Sequence, residues 1–247
     1  MVGMKRIEVF GCPMDVATMD ETVAEISTRI AARQFTQHVA VNVAKLVYMQ
    51  ADTELARSVR CCDMISIDGM GVVWAARALG YAVPERVAGV DLFDKLLAEA
   101  ARLKFPVYLL GATNEVVARV AMLCADTYPG LRIAGYHHGY FGDDHQPVVD
   151  RIRESGARLL FVAITSPTKE NFINRWRESL GVDFVMGVGG TFDVVAGKVS
   201  RAPRWMQTAG LEWFFRVLQE PRRMWRRYLV TNSKFAVMLG KALFVQR

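Results

Sequence analysis

The chain has 247 residues, of which 52% are hydrophobic and 23% are charged, and its formal net charge is +6. This composition predicts a globular protein with a large buried core, built as one α/β domain or as two closely packed lobes. No stretch reaches the ~20 apolar residues that a membrane-spanning helix needs. No apolar signal core follows the basic residues Lys5 and Arg6, so we expect no export signal.

The cysteine and histidine content is low. Four cysteines occur without Cys-x-x-Cys spacing, and there are only four histidines, which argues against a zinc site. Reduced thiols are the default in a cytoplasmic protein, so we predict a cytoplasmic location without disulfides.

The positive charge is concentrated at the C-terminal end. From Lys198 to Arg247 there are 11 lysines and arginines against two acids, a net charge of +9, so the first 197 residues carry −3. We therefore divide the chain into a core, residues 1–197, and a basic appendage, residues 198–247. Such a basic segment attracts polyanions, namely nucleic acid, anionic lipid headgroups or pyrophosphate.

Apolar runs and amphipathic segments alternate along the core. Strands are predicted at 7–10, 38–42, 64–67, 106–110, 131–134, 158–164 and 183–186. Helices are predicted at 18–32, at 45–60 with a break near 51–52, at 72–79, 91–104 and 115–128, and from 167 to 180. Thr18 and Glu21 stand at the spacing of a capping box. This alternation predicts an α/β fold with a Rossmann-like, mostly parallel sheet and helices on both faces.

Asp68 is the first candidate site residue. The apolar run 64–67 delivers it onto a turn that contains Gly69 and Gly71, just before a helix. Ligands bind at the carboxyl ends of strands in parallel α/β sheets, so Asp68 is a candidate active-site acid. Aspartate is equally favoured as a helix N-cap, and the turn alone supports both interpretations.

Two more polar residues lie near predicted strand ends. Asn42 closes the strand at 38–42, where its amide either forms a turn or hydrogen-bonds a sugar hydroxyl. Arg86 lies in the loop 80–89, which is marked by its glycines and by Pro84.

Glycines follow two of the predicted strands. Gly111 opens a turn before a helix, which either is merely tight or places a phosphate at the helix N-terminus. Gly187, Gly189 and Gly190 precede Asp193, but the third glycine of a dinucleotide fingerprint is absent. Glycines still permit close backbone approach to a ligand, and a nucleoside diphosphate fits this cluster better than NAD does. These five residues are the candidate nucleotide-binding residues.

The appendage combines aromatic and basic residues between 211 and 228. Arg216, Arg223 and Arg226 follow at intervals of seven and three residues, which is one helical face if the helix continues through or resumes at Pro221. Arginine interleaved with tryptophan and tyrosine is typical of a helix that lies on anionic lipid. We therefore favour a membrane surface over nucleic acid as the partner.

Several of these stretches together resemble the WecG/TagA/CpsF glycosyltransferases, family 26. The resemblance covers the chain from about residue 38 to 228. The matching residues are Asn42; Asp68-Gly69-x-Gly71; Arg86; Gly89-x-Asp91-Leu92; Leu110-Gly111; Gly139-Tyr140-Phe141; Pro167 with Glu170; Gly187-Val188-Gly189-Gly190-x-Phe192-Asp193; Gly197 with Arg201-Ala202-Pro203; Glu212-Trp213; and Glu220-Pro221-x-Arg223.

The resemblance implies inverting, metal-independent transfer of a hexose from a UDP-sugar to a polyprenyl-pyrophosphate-linked saccharide. It implies no cofactor, a role in exopolysaccharide or cell-envelope polysaccharide synthesis, and a location on the inner face of the cell membrane. By analogy, Asp68 would be the general base, Arg86 would stabilise the leaving diphosphate, and Asn42 would contact substrate. The three arginines of the appendage would grip a pyrophosphate as the tail closes over the core.

Two positions depart from the family pattern. Ala40 stands where the family commonly has threonine, and Lys169 replaces an active-site glutamine. An ammonium prefers carboxylate or phosphate, whereas an amide hydrogen-bonds hydroxyls, so the sugar, of the glucose, glucuronate or N-acetylmannosamine type, does not carry over. We predict that Lys169 reaches the crevice near Asp68 and meets a uronate, a diphosphate, Glu170 or Asp193; a solvated surface lysine is the alternative.

A second class of function also fits the sequence. A nucleotide-binding regulatory or nucleic-acid-binding protein would likewise use a glycine-rich sheet edge and a basic tail. A homo-oligomer is compatible with the sequence, which contains no signal that fixes the oligomeric state.

Overall fold

The computed structural model describes residues 4–245, except for the side chain of Arg223. The strands are β1 (Lys5–Val9), β2 (Cys12–Val16), β3 (Thr36–Val41), β4 (Met64–Ile67), β5 (Val107–Gly111), β6 (Ile133–His137), β7 (Leu159–Ala163) and β8 (Phe184–Gly187). The helices are α1 (Met19–Ala31), α2 (Val43–Met49), α3 (Thr53–Arg60), α4 (Met70–Ala78), α5 (Gly89–Leu103), α6 (Asn114–Thr127), α7 (Gln146–Glu154), α8 (Thr168–Trp176), α9 (Thr191–Val195), α10 (Arg204–Thr208), α11 (Glu212–Gln219) and α12 (Pro221–Val245).

The strands form a single eight-stranded sheet in the order β1-β2-β4-β3-β8-β7-β5-β6. All neighbouring pairs are parallel except β1 and β2, which form an antiparallel hairpin at one edge. Alternate residues of β4 pack on opposite faces of the sheet. Met64 packs on the face that α1, α5 and α6 cover, whereas Ile65 and Ile67 pack on the face that α2, α3 and α4 cover. The predicted α/β fold, with helices on both faces of a mostly parallel sheet, is confirmed.

The local signals in the sequence explain several helix ends. The capping box of Thr18 and Glu21 is present at the start of α1. The predicted break near residue 51 separates α2 from α3, and the Asp52 carboxylate caps α3 by accepting from the backbone N–H of Leu55 at 2.9 Å. Strand β2 and helix α7 were not among the predicted elements.

The appendage folds back on the core. Helices α11 and α12 form an antiparallel hairpin, because the rings of Trp213 and Tyr228 lie 5.8 Å apart on either side of the turn at Pro221. Further along α12, Phe235 is buried and packs edge-on against Phe10, with ring centroids 5.5 Å apart. None of the described helices, up to residue 245, is long and apolar enough to cross a membrane.

The hairpin corrects one prediction about the arginines. Because α11 ends at Gln219 and α12 starts at Pro221 in a new direction, Arg216 does not share a helical face with Arg226. The side chain of Arg223 lies outside the described residues.

Candidate active site

The candidate residues of the core meet at the carboxyl edge of the sheet. Asp68 follows β4 and Asn42 follows the adjacent β3, while Gly189 and Gly190 follow β8, which ends at Gly187 and is the other neighbour of β3. After β3 the chain enters α2 on one face, and after β8 it enters α9 on the other. Connections that leave on opposite faces open a crevice between neighbouring strands, the usual ligand position in such sheets.

Asp68 is half-buried in this crevice and does not cap a helix. Its backbone N–H donates to the carbonyl of Val41 at 2.8 Å, which ties the turn to the end of β3. The N-cap residue of α4 is Gly69, with φ +102°, and α4 has no side-chain cap. The N-cap interpretation of Asp68 is therefore wrong, which leaves its carboxylate available for chemistry.

The charges around Asp68 come from the core and from the appendage. Burial raises the pKa of the Asp68 carboxyl above its ordinary value. Arg86 and Arg216 act in the opposite direction, as does a hydrogen bond from the Gly89 backbone, whereas Glu212 raises the pKa further. Arg216 is solvent-exposed on α11, and its charge acts on Asp68 from there. The structure thus brings Asp68, Arg86 and Arg216 together.

Arg86 is held by a residue that the sequence interpretation left without a role. Its Nη1 donates to Glu212 Oε2 at 2.5 Å, although the two residues are 126 positions apart. The loop that carries Arg86 is fixed beside β4, since the backbone N–H of Val87 donates to the carbonyl of Ile67 at 2.9 Å. Glu212 also lies 3.6 Å from Arg201.

Arg201 connects this pair to helix α5. Its guanidinium donates to both carboxylate oxygens of Asp91, at 2.5 and 2.7 Å. Arg201, Asp91 and Glu212 all stand in the stretches that carry the family resemblance. That grouping was the one signal in the sequence that could have identified them as site residues.

Lys169 belongs to a second cluster, on the other side of β3. Its Nζ lies 2.9 Å from Glu170 Oε1, and Lys45 Nζ donates to the same oxygen at 2.8 Å. All three side chains are less than 10% exposed, so the solvated surface lysine is excluded and Glu170 is the anion that Lys169 meets. The sequence analysis did not identify Lys45 as a member of this cluster, nor Arg227, whose charge lowers the pKa of Lys169.

The two ammonium groups change the titration of this cluster. Burial lowers the pKa of Lys169 to about 8, and the nearby charge of Lys45 lowers it as well. Burial opposes ionisation of Glu170, but Lys45 and Lys169 outweigh it and hold the pKa of that carboxyl at about 2. One carboxylate therefore serves two lysines, and the cluster carries a net positive charge at neutral pH.

The candidate glycines divide into two groups. A Cβ on Gly111 would lie 2.4 Å from the carbonyl oxygen of Ala163, so glycine is required there for packing, whereas one on Gly187 would lie 2.8 Å from the Cε of Lys169 and would displace that side chain. Gly189 and Gly190 have open space beside their Cα atoms. Only this second pair leaves room for a ligand to approach the backbone.

Within the part of the chain that the structure describes, the other predicted site residues form no ion pair in either charge cluster. Asn42 is exposed and caps α2, accepting from the backbone N–H of Lys45 at 3.1 Å. Asp193 is half-buried within α9, and Arg226 is exposed on α12. Among the described residues, no group of three or more histidine, cysteine, aspartate or glutamate side chains is arranged to hold a metal ion.

Comparison with known proteins identifies the family. The model of the family described as "Glycosyl transferase WecG/TagA/CpsF family" matches residues 7–247 of this chain. The chain belongs to this family. The glycosyltransferase family match includes the core strands, the Asp68 turn and the appendage, so it covers both charge clusters described above.

Two curated relatives of the family are similar to this chain. A protein of Bacillus spizizenii strain W23 is 40% identical over 167 residues, which are 68% of this chain and 64% of the relative. A protein of Bacillus subtilis strain 168 is 38% identical over 179 residues, 72% of this chain and 69% of the relative. The chain thus aligns with about two thirds of each relative. Both are named N-acetylglucosaminyldiphosphoundecaprenol N-acetyl-beta-D-mannosaminyltransferase.

Proposed function

We propose that this protein is an inverting, metal-independent glycosyltransferase that moves a hexose from a UDP-sugar to a polyprenyl-pyrophosphate-linked saccharide in cell-envelope or exopolysaccharide synthesis. The observation that carries the proposal is the Asp68 carboxylate, uncapped at the sheet edge and flanked by Arg86 and Arg216. The names of the two relatives support the acceptor class, a saccharide on a diphosphate-linked polyprenol.

In this proposal Asp68 is the general base. Its carboxylate takes the proton of the acceptor hydroxyl while that oxygen forms a bond to the anomeric carbon of the donor. The bond from that carbon to UDP breaks on the opposite side, which inverts the configuration. One base opposite the leaving group is sufficient for this reaction, and its raised pKa makes Asp68 a better proton acceptor than an ordinary carboxylate.

Arg86 and Arg216 are proposed to bind the leaving diphosphate. Guanidinium groups match phosphate oxygens with paired hydrogen bonds, and fixed positive charge stabilises the negative charge that develops on UDP. Gly189 and Gly190 leave the backbone open to a ligand on the β8 side of the crevice, which supports a nucleotide subsite there. Asn42 lies between these groups and is proposed to contact a sugar hydroxyl.

The appendage is proposed to bind an anionic membrane surface. Leu218, Trp225 and Leu229 are between 51% and 60% exposed on α11 and α12. Exposed arginines, including Arg222 and Arg226, lie on the same helical hairpin. Apolar side chains that enter the headgroup region and cations that meet lipid phosphates are what an interfacial helix needs. We therefore propose a peripheral location on the inner face of the cell membrane, as the family resemblance implies.

The Lys169 cluster is proposed to influence which sugar is used. Its excess positive charge favours an anionic group, as on a uronate, over a neutral one. Donors of the glucose, glucuronate and N-acetylmannosamine types are all candidates.

A donor screen tests the proposal. Purified protein is incubated with each UDP-sugar and a polyprenyl-diphosphate-linked N-acetylglucosamine, with and without chelator, and free UDP is measured. The proposal predicts acceptor-dependent UDP release with at least one donor, unaffected by the chelator. No UDP release from any donor, together with tight and salt-dependent binding of RNA or DNA, would instead support a nucleic-acid-binding protein.

A further inference from the structure

Glu212 occupies a central position between the core and the appendage. It opens helix α11, and its carboxylate contacts Arg86 at 2.5 Å and Arg201 at 3.6 Å. The side chains of Arg86 and Glu212 are only 12% and 24% exposed. An ion pair shielded from water in this way is screened less than a surface pair and holds its two groups more firmly.

The contact that fixes Glu212 also orients a second cation. Arg216 lies four residues after Glu212 on the same helix, so both side chains point to the same side. Both also act on Asp68, Glu212 by opposing its ionisation and Arg216 by favouring it. A displacement of Glu212 would therefore move Arg216 as well.

Arg201 anchors the other side of Glu212 to the core. It forms a bidentate hydrogen-bonded ion pair with Asp91, in the first turn of α5. That helix starts at Gly89, where an added Cβ would lie 3.8 Å from Asp68 Oδ2. Charges of alternating sign thus run from Asp91 through Arg201 and Glu212 to Arg86, and end at Asp68.

We propose that Glu212 is a positioning residue for sugar transfer, which holds the Arg86 guanidinium beside Asp68 and, with Arg201, fixes helix α11 over the carboxyl edge of the sheet. The inference rests on the function proposed above, because it takes ionised Asp68 as the base. Glu212 itself acts through Arg86 and through the position of α11. It raises the basicity of Asp68 at the same time, since its negative charge disfavours the ionised carboxylate.

Glu212 and Arg201 carry opposite charges, so their removal should shift the pKa of Asp68 in opposite directions. Glu212→Gln removes a negative charge, so Asp68 should lose its proton at lower pH. Arg201→Gln removes a positive charge and leaves Glu212 less neutralised, so Asp68 should lose its proton at higher pH.

Arg86, Arg216 and the Gly89 N–H, the other groups that act on Asp68, keep their charge and chemical identity in both variants. The amide oxygen introduced by Glu212→Gln still accepts a hydrogen bond from Arg86, so the lost charge sets the sign of the shift and the weaker hold on Arg86 sets the loss of rate. The sign of each shift tests the charge coupling to Asp68, and the loss of kcat in Glu212→Gln tests its hold on Arg86. A merely structural contact would change neither.

The experiment follows Asp68 directly. The titration of its carboxyl carbon is recorded by NMR in the full-length protein, with the signal assigned from Asp68→Asn, and the pH dependence of kcat/KM is measured in parallel. In Glu212→Gln we expect kcat to fall by about 10- to 100-fold, as when reacting groups are misplaced by about 1 Å, with a smaller change in KM. The acid limb of the kcat/KM profile, where activity is lost as Asp68 takes up a proton, should move to lower pH in this variant and to higher pH in Arg201→Gln.

Two further variants complete the test. Glu212→Asp keeps the charge and should return the acid limb toward that of the wild type. Glu99→Gln breaks the Glu99–Arg102 pair on α5, which is also 2.5 Å long but has an arginine that is 67% exposed, and it should change neither the titration nor the rate. Titrations that shift in the same direction in Glu212→Gln and Arg201→Gln, or in neither, overturn the inference. A wild-type protein with the expected titrations but no UDP release overturns the proposed function instead.

Discussion

Replacing Asp68 with asparagine separates catalysis from folding more clearly than any other single change. The substitution keeps the shape of the side chain and removes its charge. Burial raises the pKa of the Asp68 carboxyl above its value in the unfolded chain, so its ionisation destabilises the fold as the pH rises past the unfolded pKa. No helix cap is lost, because α4 has no side-chain cap. At pH 7 the variant should therefore unfold at the same temperature as the wild type or slightly higher.

Turnover of the same variant should fall by roughly 10²–10⁴-fold, the usual contribution of a general base, while UDP-sugar binding is retained. UDP release and thermal unfolding are the two assays. Asp52→Ala is the control for a true cap, since Asp52 accepts from the Leu55 N–H at 2.9 Å; it should lose ~1 kcal/mol of stability and keep its turnover. The reasoning is refuted if Asp68→Asn keeps turnover within about tenfold of the wild type or shows the stability loss of Asp52→Ala.

Three other substitutions test separate parts of the structure. Lys169→Gln should change the preference among UDP-glucose, UDP-glucuronate and UDP-N-acetylmannosamine by at least ~1 kcal/mol; equal donor ratios would show that Lys169 does not read the sugar. Leu229→Glu should weaken binding to anionic vesicles in a sedimentation assay, and Met122→Glu, on a side chain equally exposed at 58% against 59%, should leave it unchanged. Gly111→Ala should lower the unfolding temperature, because its Cβ would collide with the Ala163 carbonyl; an unchanged temperature would contradict the packing.

Much of the core could be predicted because its signals are local. The apolar run before Asp68 and the helix break near residues 51–52 depend on neighbouring residues, and both were predicted correctly. Strand β2 was missed because Pro13 and Asp15 interrupt its apolar pattern. The Asp15 carboxylate joins β2 to β4 by accepting from the backbone N–H of Ile65 at 2.7 Å. The two residues are 50 positions apart, so no local pattern reveals this contact.

The candidate site could be predicted only in part for the same physical reason. The position of Asp68 follows from its strand, but the pairing of Arg86 with Glu212 depends on how the appendage folds back, and no periodicity reveals that. The hairpin at Pro221 likewise separated Arg216 from Arg226, which the spacing of the arginines had placed on one face. Lys169 was expected to meet an anion, and Glu170 is that anion, but the second lysine, Lys45, comes from a distant helix.

The stereochemistry of the product tests the central claim most directly. With the donor that releases the most UDP, the one-bond carbon–hydrogen coupling at the new anomeric centre is measured by NMR. An Asp68 base that acts on the acceptor hydroxyl, opposite UDP, predicts a β-linked product from the α-linked donor and product formation reduced by roughly 10²–10⁴-fold in Asp68→Asn. An α-linked product, or unchanged product formation by that variant, would contradict the account.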